Sequence, residues 1–136
     1  MAYFDHETKY YKLSDETVIK LKFRDTAFGN GKFTKLYFKE YSRSDCIILL
    51  YSIKDKESFE KCNFFRDKIS KSCGNNKKVL LLGNKTDEEN LRKVSFEEGK
   101  NFAKSNDYEF LEISCAKNVN IVEAMETAIN LGLEAV

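Results

Sequence analysis

The chain has 136 residues, 42% of them hydrophobic, and its 23 basic and 22 acidic side chains leave a formal net charge of +1. This length fits one domain with one core. A nearly neutral chain gives no support for nucleic acid or an anionic membrane as the main partner. No apolar run approaches the roughly 18 residues that a membrane-spanning helix needs.

The cysteines are scattered along the chain. The four of them, Cys46, Cys62, Cys73 and Cys115, form no C-x-x-C pair. Scattered thiols are typical of a reducing compartment, and they indicate neither a disulfide framework nor a zinc site. We therefore expect a cytoplasmic protein.

The first third of the chain predicts a hairpin and a short helix. Residues 1–8 show no pattern, and residues 9–13 and 18–24 read as two strands joined by a short turn. The second strand alternates apolar and charged side chains, which predicts one buried face and one exposed face. After a glycine-rich loop, residues 33–42 predict a short helix rich in aromatic side chains.

From residue 46 onward, predicted strands and helices alternate. The strands are 46–51, 79–82 and 108–113, and the helices are 58–72, 95–105 and 121–133. The run Val79-Leu80-Leu81-Leu82 is typical of a parallel strand covered on both faces. Ser95 with Glu98 three residues later predicts a capping box. The order predicts an α/β fold, a three-layer, mostly parallel, doubly wound sheet with an antiparallel hairpin at one edge.

A polar loop follows the most apolar strand. Asn84-Lys85-Thr86-Asp87 comes directly after Gly83, at the carboxyl end of the strand, where open α/β sheets bind ligands. A carboxylate can accept hydrogen bonds from both N–H groups on the Watson–Crick edge of guanine, and adenine offers no such pair of donors. Because the sequence of this loop resembles the Asn-Lys-x-Asp base-reading motif of guanine-nucleotide-binding proteins, we interpret it as a candidate guanine-binding site.

Three motifs together resemble those of the Ras superfamily of small GTPases, and of its Rab branch in particular. Asp25-Thr26-Ala27 resembles the Asp-x-x-Gly motif at the end of the family's third strand, and residues 84–87 resemble its Asn-Lys-x-Asp motif. Residues 110–118 resemble the Glu-x-Ser-Ala-Lys motif that completes the guanine pocket. The likeness to Rab proteins comes from residues 48–51, residues 55–59 and Asn118. The match covers residues 9–136.

The resemblance implies a guanine pocket made by two loops. Its residues would be Asn84, Lys85, Asp87, Cys115, Ala116 and Lys117, with the two lysines beside the base. Asp87 would read the edge of the base, Asn84 would brace the loop, and the backbone N–H of Ala116 would donate to the guanine carbonyl. One extra residue lies near the family's serine, so either Ser114 or Cys115 could brace this loop. The alternative reading is that Asp87 and Lys117 are solvated loop charges.

The resemblance also implies how phosphate and metal would be held. Asp25 would support Mg²⁺ through water, although an aspartate here could equally end a turn or cap a helix. Phe28 displaces the family's glycine, so Gly29 would offer its N–H to the γ-phosphate. Asn30 would then be the catalytic residue, in the slot of the glutamine that orients the attacking water. Asparagine is one methylene shorter, so we expect slow hydrolysis at best.

The family's phosphate loop, G-x-x-x-x-G-K-[ST], has no match in the sequence. We expect residues 1–136 to be a single Rab-like domain that lacks the family's first strand, phosphate loop and first helix. That strand would lie between strands 18–24 and 46–51, so its absence would leave a gap or force the two to pair directly. No cysteine near the C-terminus is available for prenylation, so we expect no membrane anchor in this chain.

Two functions follow from the resemblance. The first is a Rab-like switch in vesicle trafficking, with GTP or GDP and Mg²⁺ as ligands and doubtful hydrolysis. The second is a pseudo-GTPase interaction module that keeps the fold and a partner surface without nucleotide turnover. In either case effector or regulatory proteins would bind through residues 28–41, unless this aromatic region is simply core. Contact with vesicle membranes would be made through partners.

Overall fold

The computed structural model describes residues 4–26 and 34–136, which fall into two compact units, residues 1–37 and 38–136. The elements are β1 (Phe4–Lys12), β2 (Val18–Thr26), α1 (Thr34–Arg43), β3 (Ile47–Ser52), α2 (Lys56–Cys73), β4 (Val79–Asn84), α3 (Phe96–Ser105), β5 (Glu109–Glu112) and α4 (Ile121–Glu134). Short 3-10 helices lie at Gly74–Asn76 and Thr86–Leu91. Every predicted strand and helix is present, but β1 begins earlier than predicted and the two 3-10 helices were not foreseen.

The first unit contains the predicted hairpin. β1 and β2 pair in antiparallel register along their whole length, from Phe4 opposite Thr26 to Lys12 opposite Val18. In the turn, the Asp15 carboxylate accepts a hydrogen bond from the backbone N–H of Thr17 at 3.0 Å. Along β2 the side chains from Val18 to Arg24 alternate between exposed and half-buried, as the sequence pattern predicts.

The second unit contains a parallel sheet in the order β3-β4-β5. Leu49 lies opposite Leu81, and Leu82 lies opposite Leu111, so the apolar β4 is the central strand. β2 and β3 belong to different sheets among the described residues.

Helices cover both faces of the parallel sheet. On one face, α2 and α3 pack over a buried cluster that includes Leu49, Tyr51, Ile53, Cys62, Ile69, Val79, Leu81, Val94 and Ala103. On the other face, α4 covers a second cluster that contains Leu80, Leu82, Ile113, Ala124 and Leu131. The second unit thus has the predicted three-layer α/β architecture, and the polar loop that begins at Asn84 follows β4, its best-buried strand.

The helix ends are fixed by the signals that the sequence carries. The Ser95 hydroxyl accepts from the Glu98 N–H at 3.1 Å, and the Glu98 carboxylate accepts from the Ser95 N–H at 2.8 Å. This confirms the predicted capping box at the start of α3. Asp55 caps α2 by accepting from the Ser58 N–H. Among the described helices, none is long and apolar enough to cross a membrane.

Helix α3 approaches the sheet closely at Gly99. A Cβ atom at this position would lie 2.4 Å from Tyr51 Oη and 2.6 Å from Phe110 Cζ. Tyr51 is buried, and its hydroxyl has no hydrogen-bond partner among the described residues. Burial raises the pKa of this phenol, which therefore stays neutral. Glycine at position 99 thus allows the helix to lie against an aromatic surface.

Candidate functional site

The predicted loops meet at the carboxyl ends of β4 and β5. The Ile113 N–H donates to the Gly83 carbonyl at 2.8 Å, which continues the parallel ladder past the end of β5. Thr86 also contacts Ile113, because its N–H and its hydroxyl both donate to the Ile113 carbonyl, at 3.3 and 3.1 Å. The segment that begins at Asn84 is therefore bound to the segment that leads to Ser114.

Ser114 joins the two loops through its side chain. Its hydroxyl donates to Asp87 Oδ1 at 2.7 Å and accepts from the Lys117 N–H at 3.1 Å. The residue is fully buried, at 0% exposure, and it is the buried polar residue of the described core. Of the two residues that the sequence left open for this bracing contact, the side chain that makes it is that of Ser114. Cys115 is exposed beside it.

Asn84 adds a second connection between the loops. Its side-chain oxygen accepts from the Lys85 N–H at 2.8 Å and from the Cys115 N–H at 3.1 Å. Lys85 has left-handed backbone dihedrals, with φ +74°, which turns the chain sharply after Asn84. These contacts place Asn84, Asp87, Ser114 and Cys115 in one hydrogen-bonded group.

The second loop is a short closed turn. Ser114 and Val119 exchange two backbone hydrogen bonds, at 3.1 and 2.9 Å, around residues 115–118. Asn118 adopts φ +54°, a left-handed conformation that asparagine tolerates better than most residues. The closed turn holds Cys115, Ala116 and Lys117 at the surface next to Asp87.

Two polar groups of this arrangement remain available for a ligand. The backbone N–H groups of Cys115 and Lys117 donate to the side chains of Asn84 and Ser114. The Ala116 N–H, in contrast, has no hydrogen-bond acceptor among the described residues. The Asp87 carboxylate accepts a hydrogen bond from the Ser114 hydroxyl through Oδ1. Its other oxygen, Oδ2, accepts no hydrogen bond from the described residues. An exposed carboxylate and an exposed amide donor therefore lie on two loops that are bonded to each other.

Two side chains near the site were not predicted from the sequence. Thr86 occupies the variable position of its motif, where the pattern assigns no role. Arg92 follows the 3-10 helix and forms an ion pair with Glu112, with Nη1 at 2.6 Å from Oε2. A signal for Arg92 was present, because it follows the acidic run Asp87-Glu88-Glu89.

The remaining predicted site residues belong to the first unit or lie outside the described residues. Asp25 is exposed, next to the last residue of β2, and its backbone is paired with that of Asp5 in the hairpin register. Gly29 and Asn30 fall outside the described residues, as does Phe28. No group of three or more potential metal-ligating side chains is found in residues 4–26 and 34–136. The phosphate, metal and catalytic assignments therefore stay predictions.

The proposed partner region, residues 28–41, is described only from Thr34 onward. There it forms most of α1. Tyr41 packs against the cluster beneath α2 and α3 and is partly buried. This residue thus contributes to the core, and the partner surface stays a prediction for the rest of the region.

Comparison with known proteins places the chain in a family. The Ras family model matches residues 2–133. The GTP-binding protein ypt2 of Schizosaccharomyces pombe is 38% identical over 109 residues, which are 80% of this chain and 54% of that protein. The Ras-related protein RabC of Dictyostelium discoideum is 31% identical over 126 residues, 93% of this chain and 63% of that protein.

A human relative gives the same picture. The Ras-related protein Rab-3A is 34% identical over 113 residues, 83% of this chain and 51% of that protein. The chain thus spans between about half and somewhat under two thirds of the length of these relatives. The family match covers nearly all of the chain, including both loops of the candidate site. The chain is a Rab-like member of the Ras superfamily of small GTPases.

Proposed function

We propose that this chain binds the base of a guanine nucleotide between its two connected loops. The observation that carries the proposal is the Ser114–Asp87 hydrogen bond, 2.7 Å long, which ties the acidic loop to the turn that presents the Ala116 N–H. A base lying against both loops would meet a carboxylate on one side and an amide donor on the other.

The available groups match guanine better than adenine. Asp87 Oδ2 has no recorded donor in the described chain, and Oδ1 keeps one lone pair after accepting from Ser114. The carboxylate can thus accept from both N–H groups on the guanine edge, while the Ala116 N–H donates to the guanine carbonyl. Adenine carries an amine where guanine carries that carbonyl. The adenine amine and the Ala116 N–H are both donors, so they could not form a hydrogen bond with each other. Lys85 and Lys117 would flank the base with their aliphatic stems.

The assignments for the phosphate end of the nucleotide rest on the family resemblance alone. Asp25 offers a carboxylate, which suits a hard cation such as Mg²⁺, and it would hold the ion through water. The metal would supply charge neutralisation at the phosphates. Gly29 would donate its N–H to the γ-phosphate, and Asn30 would orient the attacking water. The shorter reach of asparagine leads us to propose slow hydrolysis by this chain.

At the level of the cell, we propose a guanine-nucleotide-dependent switch in vesicle trafficking that binds effector or regulatory proteins through residues 28–41. Support comes from the Rab and Ypt relatives, one of which is named a GTP-binding protein. The alternative is a pseudo-GTPase module that binds partners without turnover. The altered motif, in which Phe28 separates Ala27 from Gly29, favours that alternative. GTP turnover above a protein-free blank, abolished in Asp25→Ala, would exclude it.

The binding proposal is tested by titrating the protein with fluorescent GDP and Mg²⁺, with excess ADP as competitor. We expect saturable binding that resists ADP and that Asp87→Ala weakens at least tenfold, since two charge-assisted hydrogen bonds are lost. Asp67→Ala is the matched control, because Asp67 lies on α2 and pairs with Arg66 outside both loops. Equal competition by ADP and GDP would contradict the proposal.

A further inference from the structure

Arg92 uses its whole guanidinium group in hydrogen bonds. Nη1 and Nη2 donate to the two Glu112 carboxylate oxygens at 2.6 and 2.8 Å. Nε and Nη2 each donate to Glu89 at 2.7 Å, and Nη1 also donates to the Val94 carbonyl at 2.9 Å. These five contacts match the five N–H donors of arginine, and the single ammonium group of lysine could not reproduce them.

The Arg92–Glu112 pair is largely shielded from water. The Arg92 side chain is 18% exposed and that of Glu112 is 13% exposed. Hydrogen bonds to Glu112, and then to Glu89, raise the pKa of the Arg92 guanidinium, which therefore stays charged. Charge-assisted contacts of this kind are stronger and more directional away from solvent than at the surface.

The Arg92 cluster, Glu89, Arg92 and Glu112, spans the two halves of the candidate site. Glu89 lies two residues after Asp87 in the segment Thr86–Leu91, which is kinked between them at Glu88. Glu112 is the last residue of β5 and precedes Ser114 by two positions. The backbone carbonyl of Glu112 also accepts from the Asn120 side chain at 2.9 Å, so the far end of the second loop is fixed at the same residue.

We propose that Arg92 is a positioning residue of the guanine site: its bidentate contacts hold the segment that follows Asp87 against the end of β5, which sets the spacing between the Asp87 carboxylate and the Ala116 N–H. The inference rests on the proposed guanine binding. Arg92 does not touch the base. It acts through the backbone segments that carry the two groups that do.

The inference is tested by base selectivity, which a purely structural ion pair would leave unchanged. Inosine diphosphate lacks the exocyclic amine of guanine, so it forfeits one hydrogen bond to the Asp87 carboxylate. We expect the wild-type protein to bind IDP roughly tenfold more weakly than GDP. In Arg92→Met we expect the preference for GDP over IDP to fall below about threefold, because the Asp87 carboxylate is no longer held in position to bind the exocyclic amine.

Two further variants separate positioning from stability. Arg92→Lys keeps the positive charge but loses the bidentate geometry of the guanidinium group, so we expect an intermediate preference for GDP over IDP. This variant decides the question if Arg92→Met does not fold. Ile129→Val is the control, because it removes a buried methyl group on α4, outside the Arg92 cluster. Equal weakening of GDP and IDP in the Arg92 variants, with the ratio unchanged, would overturn the inference.

If the wild-type protein does not prefer GDP over ADP, the proposed function is wrong, and the positioning role of Arg92 must be tested by a measurement that does not depend on nucleotide. Hydrogen exchange then decides the positioning role. The amides of Thr86, Cys115 and Lys117 are bonded between or within the loops. Exchange at these amides at least tenfold faster in Arg92→Met than in Ile129→Val would support the inference, and equal exchange in the two variants would overturn it.

Discussion

The Ser114 hydroxyl donates to Asp87 Oδ1 at 2.7 Å across 27 residues of sequence, from the end of one parallel strand to the end of its neighbour. The same hydroxyl accepts from the Lys117 N–H. One buried oxygen thus orients the acidic side chain and fixes the turn beside it. The two loops behave as one structural group because of this atom.

Ser114→Ala is expected to loosen the site and to destabilise the chain. The change removes the hydrogen bond to the Asp87 carboxylate and the acceptor of the Lys117 N–H, which costs about 1–3 kcal/mol of unfolding free energy. We also expect GDP to bind several-fold more weakly. Urea denaturation and GDP titration measure the two effects.

Thr127→Ala provides the control for the serine variant. It also removes one hydroxyl, but on the exposed face of α4, where Oγ1 donates only to the Glu123 carbonyl. Its unfolding free energy should change by less than about 0.5 kcal/mol. If both variants lose the same stability and affinity, Ser114 has no special place in the site.

Gly99→Ala is expected to destabilise the protein, although alanine favours helices. The new Cβ would lie within 2.6 Å of both Tyr51 Oη and Phe110 Cζ, so α3 must shift at a cost of about 1–3 kcal/mol. Gly132→Ala is the matched change on α4, where the nearest atom is 3.6 Å away, and it should gain up to about 1 kcal/mol. Thermal denaturation of both variants checks the contrast, and a stabilised Gly99→Ala protein would show that the helix packs less closely.

Cys62 should make stability fall at alkaline pH. Burial raises the pKa of this thiol from 9.0 to about 11. Because the unfolded chain releases the proton first, the contribution of Cys62 is complete below pH 9 and is lost as the pH rises towards 11, by up to about 1.4 kcal/mol per unit of pKa difference.

The pH dependence is measured by urea denaturation of the wild type, Cys62→Ala and Cys115→Ala from pH 8 to 11. Cys62→Ala loses stability at all pH values through its cavity, but its curve should be flatter above pH 9. Cys115 is exposed, and Cys115→Ala is the control for the loss of a thiol. Parallel curves for all three proteins would show that Cys62 ionises equally in the folded and unfolded states.

Cys115 should report occupation of the site through its reactivity. It is the exposed cysteine of the described chain, while Cys62 is buried and Cys46 and Cys73 are partly covered. We expect iodoacetamide to modify Cys115 first, and we expect saturating GDP to slow this reaction several-fold while ADP does not. Mass spectrometry of the peptide that contains Cys115 gives the rate, and a rate that GDP leaves unchanged would place the base elsewhere.

The sequence predicts the architecture well, because its strongest patterns are local. Four consecutive apolar residues at 79–82 read as a buried strand, and Ser95 with Glu98 read as a capping box; both are confirmed. The early start of β1 was missed, because Phe4–Thr8 carries no pattern and its strand is set by pairing with β2. Pairing with another strand depends on the folded structure and cannot be read from the local sequence.

The site could be predicted only in part for a related reason. Motif spacing placed Asn84 and Asp87 in one loop, but it could not decide between Ser114 and Cys115. That choice depends on the path of the turn, which the left-handed Asn118 and the Ser114–Val119 bonds determine. The acidic run before Arg92 signals its local pairing with Glu89, but the Arg92–Glu112 pair joins residues 20 positions apart and has no such signal.

The most direct test of guanine recognition by Asp87 is a reversal of specificity in Asp87→Asn. The asparagine oxygen can still accept from Ser114, so the loops stay joined, but its amide now donates where the carboxylate accepted. Xanthine has a carbonyl in place of the guanine amine and suits this donor. We predict that GDP binding falls at least tenfold and that xanthosine diphosphate becomes the preferred ligand. Unchanged preference for GDP in the folded variant would contradict the account.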